Sequence, residues 1–401
     1  METIGRIYDS IIDTHLNVER FRQMLFLAGA RQTGKTTCGK HVADVVLNWD
    51  NLDDRATILA GPRRVMELIP PPRPDGTPPV LLLDEIHKYK EWKDFLKGFF
   101  DTYSDRVRVL ATGSARMDVF RRGGDSLMGR YFSCHVHQLS VGELLRTSMP
   151  DSPVSKPAPI PDSAWDRLRT FGGYPEPYSR ASLPFLRRWR RMRRLQLMQE
   201  DLRDLSRVHD IAQMDVLATL LERRAGSETV YASLSQEVRV SENTVREWIS
   251  ILNSLYFGFS LTPWAHNPET SLRKTPKWYP YDWSGIDDAG QRNETMLANH
   301  LLKAVDLWND FGFGEFSLHY YRDKQKREVD FVVVRDGAPW ILAECKSGCD
   351  RLSRSLSHLQ EATRAPIALQ IVMEAEYRDA DCFAASGPTV VPGRTFLSQL
   401  P

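Results

Sequence analysis

The sequence lacks the features that would place it outside a reducing aqueous compartment. Its five cysteines, Cys38, Cys134, Cys345, Cys349 and Cys382, form no paired framework. The one close pair, Cys345 and Cys349, has no further Cys or His at zinc-finger spacing, so free thiols in a reducing cytosol are expected. No apolar run approaches the ~20 residues that a membrane span needs. The opening residues, METIGRIYDSIID, carry acids where a signal peptide would have a basic-then-apolar start. A cytoplasmic protein without a membrane partner is expected. There is no internal repeat and no long low-complexity tract. A net charge of +1 says little for the whole chain, but its distribution is uneven: six of the ten residues of FLRRWRRMRR, Phe185 to Arg194, are arginine.

A chain of 401 residues exceeds what a single core usually spans, which favours two or three domains. A hydrophobic content of 42% and a charged content of 26% are those of an ordinary soluble globular protein. Three stretches of punctuation break the chain. Pro70 to Pro79 reads as a stiff surface loop before a buried strand. Met149 to Pro161 is linker-like, and Thr262 to Pro280 mixes Pro, Trp and polar residues. Before the linker, short apolar runs (MLFLA, VLLLD, VRVLAT) alternate with helical patterns such as WKDFLKGFFDTY, which argues for an α/β layer with a parallel sheet. From Asp201 to Leu261 the pattern is helical. YASLSQEVRVSENTVREWISILNSLYFGF gives a helix, a turn and a second helix capped by Ser241, then a strand-like aromatic run, the signature of a winged helix-turn-helix. The last region runs α-β-β-β-α-β. The expected division is 1–150, 151–200, 201–265 and 266–401.

Gly29-Ala-Arg-Gln-Thr-Gly34-Lys35-Thr36 fits G-x-x-x-x-G-K-[ST] between a strand and a helix. Glycine lets the backbone fold tightly enough for successive N–H groups to converge on a phosphate. Lys35 supplies a point charge, Thr36 a hydroxyl for Mg²⁺, and the following helix its positive N-terminal end. The expected ATP-binding set is Gly29, Ala30, Arg31, Gln32, Thr33, Gly34, Lys35, Thr36, Thr37 and Asp84. Asp84 ends an apolar strand, where such ATPases place a second Mg²⁺ contact, and Glu85 is placed to polarise the attacking water. Thr112 or Ser114, closing a third strand, suits a γ-phosphate sensor. No N-K-x-D string is present to read guanine, so ATP is favoured over GTP.

With these strings in place, the chain resembles AAA+ superfamily ATPases of bacteria and archaea in which an N-terminal AAA domain precedes a C-terminal domain of unknown function with restriction-endonuclease-like features. LAGARQTGKTT, VLNWDN, LLLDEIHKYKEW, VLATGSARMDVF, MGRYFSCHVHQLSVGELL, FGGYPEP, REVDFVVV and AECKSG carry the resemblance in order over nearly the whole chain. It implies an N-terminal P-loop AAA+ parallel sheet, a central winged-helix module and a C-terminal restriction-endonuclease-like α/β domain. It also implies that Gly29 to Thr36 are Walker A, that Asp84 and Glu85 are Walker B, and that Ser114 or Thr112 is the sensor. Arg130 becomes the candidate arginine finger, with Arg121 and Arg122 as rivals. A finger acting in trans would require a homo-oligomer.

The C-terminal order, with Asp330 on the second strand and Glu344-Cys-Lys346 on the third, is the layout of a PD-(D/E)XK nuclease. Acids on adjacent strands can share one Mg²⁺ through oxygen. A period of two puts Glu344 and Lys346 on one face, so the lysine can orient water. Glu294 matches an extra metal-binding acid of some members, and Glu328 could assist or replace Asp330. The expected metal set is Glu294, Asp330 and Glu344. DNA would meet Arg239 and Arg246 of the helix-turn-helix, and phosphates the Arg187–Arg194 run. The alternative for that run is pairing with Glu200, Asp201 and Asp204. Two functions follow: an ATP-hydrolysing protein acting on DNA with a nucleotide-gated nuclease-like module, or a nucleotide-switched regulatory or scaffold protein whose inactive module binds a partner.

Overall fold

The computed structural model describes residues 4–18, 21–113, 127–202, 210–265, 275–323, 325–348, 351–385 and 387–401. The chain divides into two compact units, residues 1–138 with 146–149, and residues 139–145 with 150–401.

The first unit is built on a parallel sheet of five strands: β1 Met24–Ala28, β2 Val45–Asn48, β3 Val80–Asp84, β4 Arg108–Gly113 and β5 Tyr131–His135, in the order β2-β3-β4-β1-β5. β1 and β3 are buried along their whole length, which is why both read as unbroken apolar runs rather than alternating ones. β2 is half-buried and short, and its pattern did not announce it. The helix Trp92–Tyr103 buries Trp92, Phe95, Leu96 and Phe99, one stripe at helical spacing, in a core with Phe26, Leu81, Leu83 and Val109. Because β1, β3 and β4 run parallel, their C-terminal ends bring Gly29, Asp84 and Thr112 to one edge, the usual ligand-binding edge of such sheets.

The second unit contains two kinds of element. Helices Ile211–Arg223, Tyr231–Val238 and Glu242–Ser254 enclose Leu217, Leu234, Val245, Trp248 and Leu252. Ser241 Oγ accepts the Thr244 N–H at 3.1 Å and starts the third of these helices, as its capping residue type requires. Arg239 takes a left-handed conformation in the preceding turn, φ 62°. Strands β6 Gly258–Leu261 and β7 Lys277–Pro280 then pair antiparallel. The helix Ala289–Asp310 leads into β8 Phe316–Arg322, β9 Glu328–Arg335, β10 Ala338–Lys346, the helix Arg354–Thr363 and β11 Ile367–Val372. β12 Thr389–Pro392 and the helix Gly393–Ser398 extend this order beyond what the pattern revealed. The sheet order is β12-β11-β10-β9-β8, antiparallel from β8 to β10 and parallel from β10 to β12. Among the described residues Cys38, Cys134, Cys345 and Cys382 form no disulfide with one another, and no helix is long and apolar enough to cross a membrane. Cys349 lies outside the described residues.

Candidate functional site

The loop after β1 is fixed by backbone geometry that few residues accept. A Cβ on Gly29 would lie 2.3 Å from the Val136 carbonyl oxygen, so glycine is required there. Gln32 and Gly34 both have positive φ, 65° and 97°, and flank Thr33, whose φ is not positive. That alternation curls successive N–H groups into a concave anion nest. Thr33 Oγ1 closes the curl onto the Ala30 carbonyl at 2.9 Å. Lys35 begins the helix Lys35–Val42, and its Nζ donates to the carbonyls of Gly29 at 2.9 Å and Ala30 at 2.7 Å. The ammonium thus lies folded over the loop it would serve. Thr37 is exposed, and Arg31 half-buried, at the loop's outer side.

Asp84, at the mouth of β3 and almost fully buried, is the hub. Its Oδ1 accepts from Thr36 Oγ1 at 2.8 Å and from Thr112 Oγ1 at 2.6 Å, and its Oδ2 accepts from Asn48 Nδ2 at 3.1 Å. Thr112 Oγ1 also accepts the Glu85 N–H at 3.0 Å. Glu85 is held in a left-handed conformation, φ 56°, with its carboxylate 3.3 Å from Lys88 Nζ and 3.9 Å from His87 Nε2. Burial takes His87 down to about 4, although Glu85 pulls the other way; its imidazole is neutral near pH 7.

Arg6 supports this site without having been expected there. Its guanidinium donates to the Thr33 carbonyl of the loop and, at 2.8 Å, to the His137 carbonyl. The Tyr8 hydroxyl accepts the His137 N–H at 2.8 Å. Arg130 is not brought to the site within its own chain. Its carbonyl accepts the Met24 N–H at the start of β1, so it sits at the opposite end of a five-residue strand, about 16 Å away. Its side chain grips Asp101 through two hydrogen bonds of 2.7 and 3.1 Å. Ser114, Arg121 and Arg122 lie outside the described residues.

In the second unit, Asp330 on β9 and Glu344 on β10 are neighbours. Asp330 Oδ2 accepts the Cys345 N–H at 2.8 Å, and Glu344 Oε1 lies 2.8 Å from Lys346 Nζ. Glu294, on the helix Ala289–Asp310, accepts from the Tyr279 hydroxyl at 2.7 Å. Lys277 enters the expected metal set from β7. Its Nζ lies 2.5 Å from Glu328 Oε1, 3.8 Å from Glu294 Oε1 and 3.9 Å from Asp330 Oδ1. Among the described residues no group of three or more His, Cys, Asp or Glu side chains is arranged to hold a metal ion. Burial raises Glu294 to about 7, with Asp330 adding to the rise and Lys277 opposing it. Burial likewise lifts Asp330 against the pull of Lys277. Burial disfavours the charged Lys277, yet Glu294, Asp330 and Glu328 hold it above its ordinary value.

The arginine run is divided. Arg190 reaches Asp282 at 3.4 Å, and Arg194 reaches Asp215 at 2.6 Å and Glu222 at 2.8 Å. Arg193 lies over the Tyr174 ring. Of the acids expected as partners, Asp204 lies outside the described residues, and Asp215, Glu222 and Asp282 take the role found here. Arg187, Arg188 and Arg191 are exposed. On the helix Glu242–Ser254, Arg246 lies over the Tyr231 ring at 3.7 Å, with Glu242, Asn243 and Glu247 exposed beside it.

Residues 21–145 match the AAA domain family. Residues 162–286 match a domain of unknown function (DUF8612), and residues 289–392 another (DUF4143). The parallel sheet and P-loop thus lie in the segment that matches the AAA domain family. Two uncharacterized proteins, from Mycobacterium bovis and Mycobacterium tuberculosis, are each 26% identical over 375 residues, covering 88% of this chain and 77% of theirs. Among solved structures, C. elegans PCH-2 aligns at TM-score 0.22 and 16% identity over 34% of this chain and 40% of its own. The FIGL-1 AAA domain in complex with ADP aligns at TM-score 0.23 and 13% identity over 63% and 78%.

Proposed function

We propose that the chain binds and hydrolyses ATP at the P-loop and couples this to action on DNA through its second unit. The carrying observation is the convergence of Thr36, Thr112 and Asn48 on one buried carboxylate, Asp84, beside a loop of anion-nest geometry. The Thr36 hydroxyl and Asp84 carboxylate are hard oxygen donors held together, which suits Mg²⁺. Thr36 and Asp84 would hold that ion, which neutralises phosphate charge when bound. The loop N–H groups and Lys35 bind the phosphates. In hydrolysis, water attacks the γ-phosphorus as its bond to the ADP oxygen breaks, and Glu85 takes the proton that water gives up. Thr112 fixes the Glu85 backbone relative to Asp84. The test is ATP turnover by the purified protein beside Lys35→Ala and Glu85→Gln. Loss of nucleotide binding in the first, and loss of turnover with binding retained in the second, is expected; unchanged turnover in either refutes the assignment.

Action on DNA is supported by the capped helix-turn-helix with its β6–β7 pair, which suits a winged helix, by exposed Arg187, Arg188 and Arg191, and by the restriction-endonuclease-like order of β8 to β11. In this reading Asp330, Glu344 and Lys346 form a nuclease centre gated by nucleotide. A specific observation favours the second reading, a nucleotide-switched protein whose module binds a partner without cleaving: the Lys277 ammonium lies among the acids, and three carboxylates do not fit a divalent ion around it. Cleavage of plasmid and branched DNA with Mg²⁺ or Mn²⁺, with and without ATP, separates the two. A signal lost in Asp330→Ala supports the first, and none under any condition with ATPase intact supports the second.

A further inference from the structure

We propose that Lys277 is a tethered cation that takes the place of a divalent ion in the acid cluster of the second unit, locking that module in a metal-free form. β7 presents two groups at a spacing of two residues, hence on one face: the Lys277 ammonium and the Tyr279 hydroxyl. The hydroxyl donates to Glu294, and the ammonium lies within 4 Å of Glu328, Glu294 and Asp330. Lys277 is only 5% exposed and also lies 5.4 Å from the Tyr320 ring centroid.

The geometry is exclusive. A bound Mg²⁺ or Ca²⁺ sits about 2.0–2.6 Å from its oxygens, and Lys277 Nζ already stands 2.5 Å from Glu328 Oε1. An ion held by Glu328 would claim the volume that the ammonium fills, so it enters there only if the ammonium leaves. Its departure would strand buried carboxylates unless the ion replaced the charge in full. A second observation points to a cation requirement here: Glu344 Oε2 is buried without a hydrogen-bond partner among the described residues, and Glu344 is 7% exposed. The cluster retains an oxygen that a cation would satisfy, while Lys277, Lys346, the Tyr279 hydroxyl and the Cys345 N–H serve others. The two halves of the device come from different family segments. Lys277 lies within residues 162–286, and the four acids lie within residues 289–392.

The inference concerns the centre of the second reading above. Its readout is ion binding rather than cleavage, so a non-cleaving module with an open metal site would sink it and leave that reading standing. Nucleotide-free full-length protein is titrated with Mn²⁺, free ion being followed by electron paramagnetic resonance, for the native chain, Lys277→Arg and Lys277→Met. The native chain and Lys277→Arg are expected to show no binding that Glu344→Gln removes. Lys277→Met is expected to bind one Mn²⁺ at least about tenfold more tightly, and adding Glu344→Gln should abolish that gain. Thermal melts give a second readout: Mn²⁺ should raise the midpoint of Lys277→Met and leave that of the native chain unmoved. If repulsion among the acids unfolds Lys277→Met, the Lys277→Met/Glu328→Gln variant removes the charge that Lys277 paired and keeps the other three carboxylates. Equal affinity in the native chain and the Met variants overturns the proposal, as does absence of binding in all of the Met variants.

Discussion

Replacing Thr112 by valine removes one oxygen and almost no volume from a fully buried position. That oxygen makes two bonds, one donated to Asp84 Oδ1 at 2.6 Å and one accepted from the Glu85 N–H at 3.0 Å. Thr112→Val therefore takes a donor from a buried carboxylate and strands a backbone N–H. A bond to a charged group contributes about 1.5–3 kcal/mol, and a stranded buried donor costs about 1–3 kcal/mol. Partial relaxation makes the two overlap, and about 2–3 kcal/mol is the expected net cost. If Thr112 aligns Glu85 for catalysis, that cost falls on the transition state and lowers kcat by about 30- to 150-fold. Nucleotide affinity should change less than kcat, because the loop N–H groups and Lys35 are untouched. Steady-state ATP turnover, with binding of a fluorescent ATP analogue measured separately, reads both quantities. Thr112→Ser keeps the hydroxyl and should stay within a few-fold of the native rate. A Thr112→Val enzyme with native kcat, or one whose defect lies wholly in binding, would refute the positioning role.

Arg6→Ala releases two carbonyls, of Thr33 and His137; losing about 1.5 kcal/mol of charged hydrogen bonding should weaken ATP binding about tenfold by calorimetry. Within the second unit, Lys303 Nζ lies 2.5 Å from Glu143 Oε2, with both side chains essentially without solvent. Lys303→Met should cost about 3–5 kcal/mol in denaturant unfolding and Lys303→Met/Glu143→Leu far less, whereas equal losses would show the pair is not the cause. Glu294 is pushed up to about 7, so between its ordinary carboxylate range and pH 7 the folded state holds a proton that the unfolded state has lost. Stability of the second unit should fall as pH rises through that window and level off above it. Glu294→Gln should remove that part of the slope, and matching slopes in the two proteins would show that Glu294 is not its source.

The parts legible in the sequence share one property: their chemistry is written in contiguous residues or fixed by local periodicity. Gly29 to Thr36 is one string, and β3 ends in its own acid, so the loop and Asp84 could be placed before any fold was known. Asp330 and Glu344 were legible because adjacent strands with a period of two align them. Arg6, Asn48 and Lys277 share the opposite property. Each reaches its partner from a place that is distant in sequence and carries no motif: the residue capping the helix Ile7–Asp13, a half-buried edge strand, and a strand inside a stretch that reads as punctuation. The place of Arg130 in its own chain was illegible for a related reason. A string places a residue along the chain, but the direction of β5 decides which end of the sheet it occupies.

The two acidic centres satisfy their carboxylates by opposite means, and this bears on which of them can use a metal ion. Asp84 is surrounded by neutral donors: two hydroxyls and an amide. Such donors orient a carboxylate without cancelling its charge, so a divalent ion arriving with nucleotide still gains the full electrostatic attraction. Around Asp330 and Glu328 the partners include cations, the Lys277 ammonium and, 3.8 Å from Glu328, the Arg322 guanidinium. There, an arriving ion gains only the difference between its own attraction and that of the cation it displaces. Both centres have carboxylates at strand ends, so counting acids does not separate them. The charge of their partners does, and on that ground metal-dependent chemistry is expected at the P-loop and not at the β9–β10 centre while Lys277 is in place.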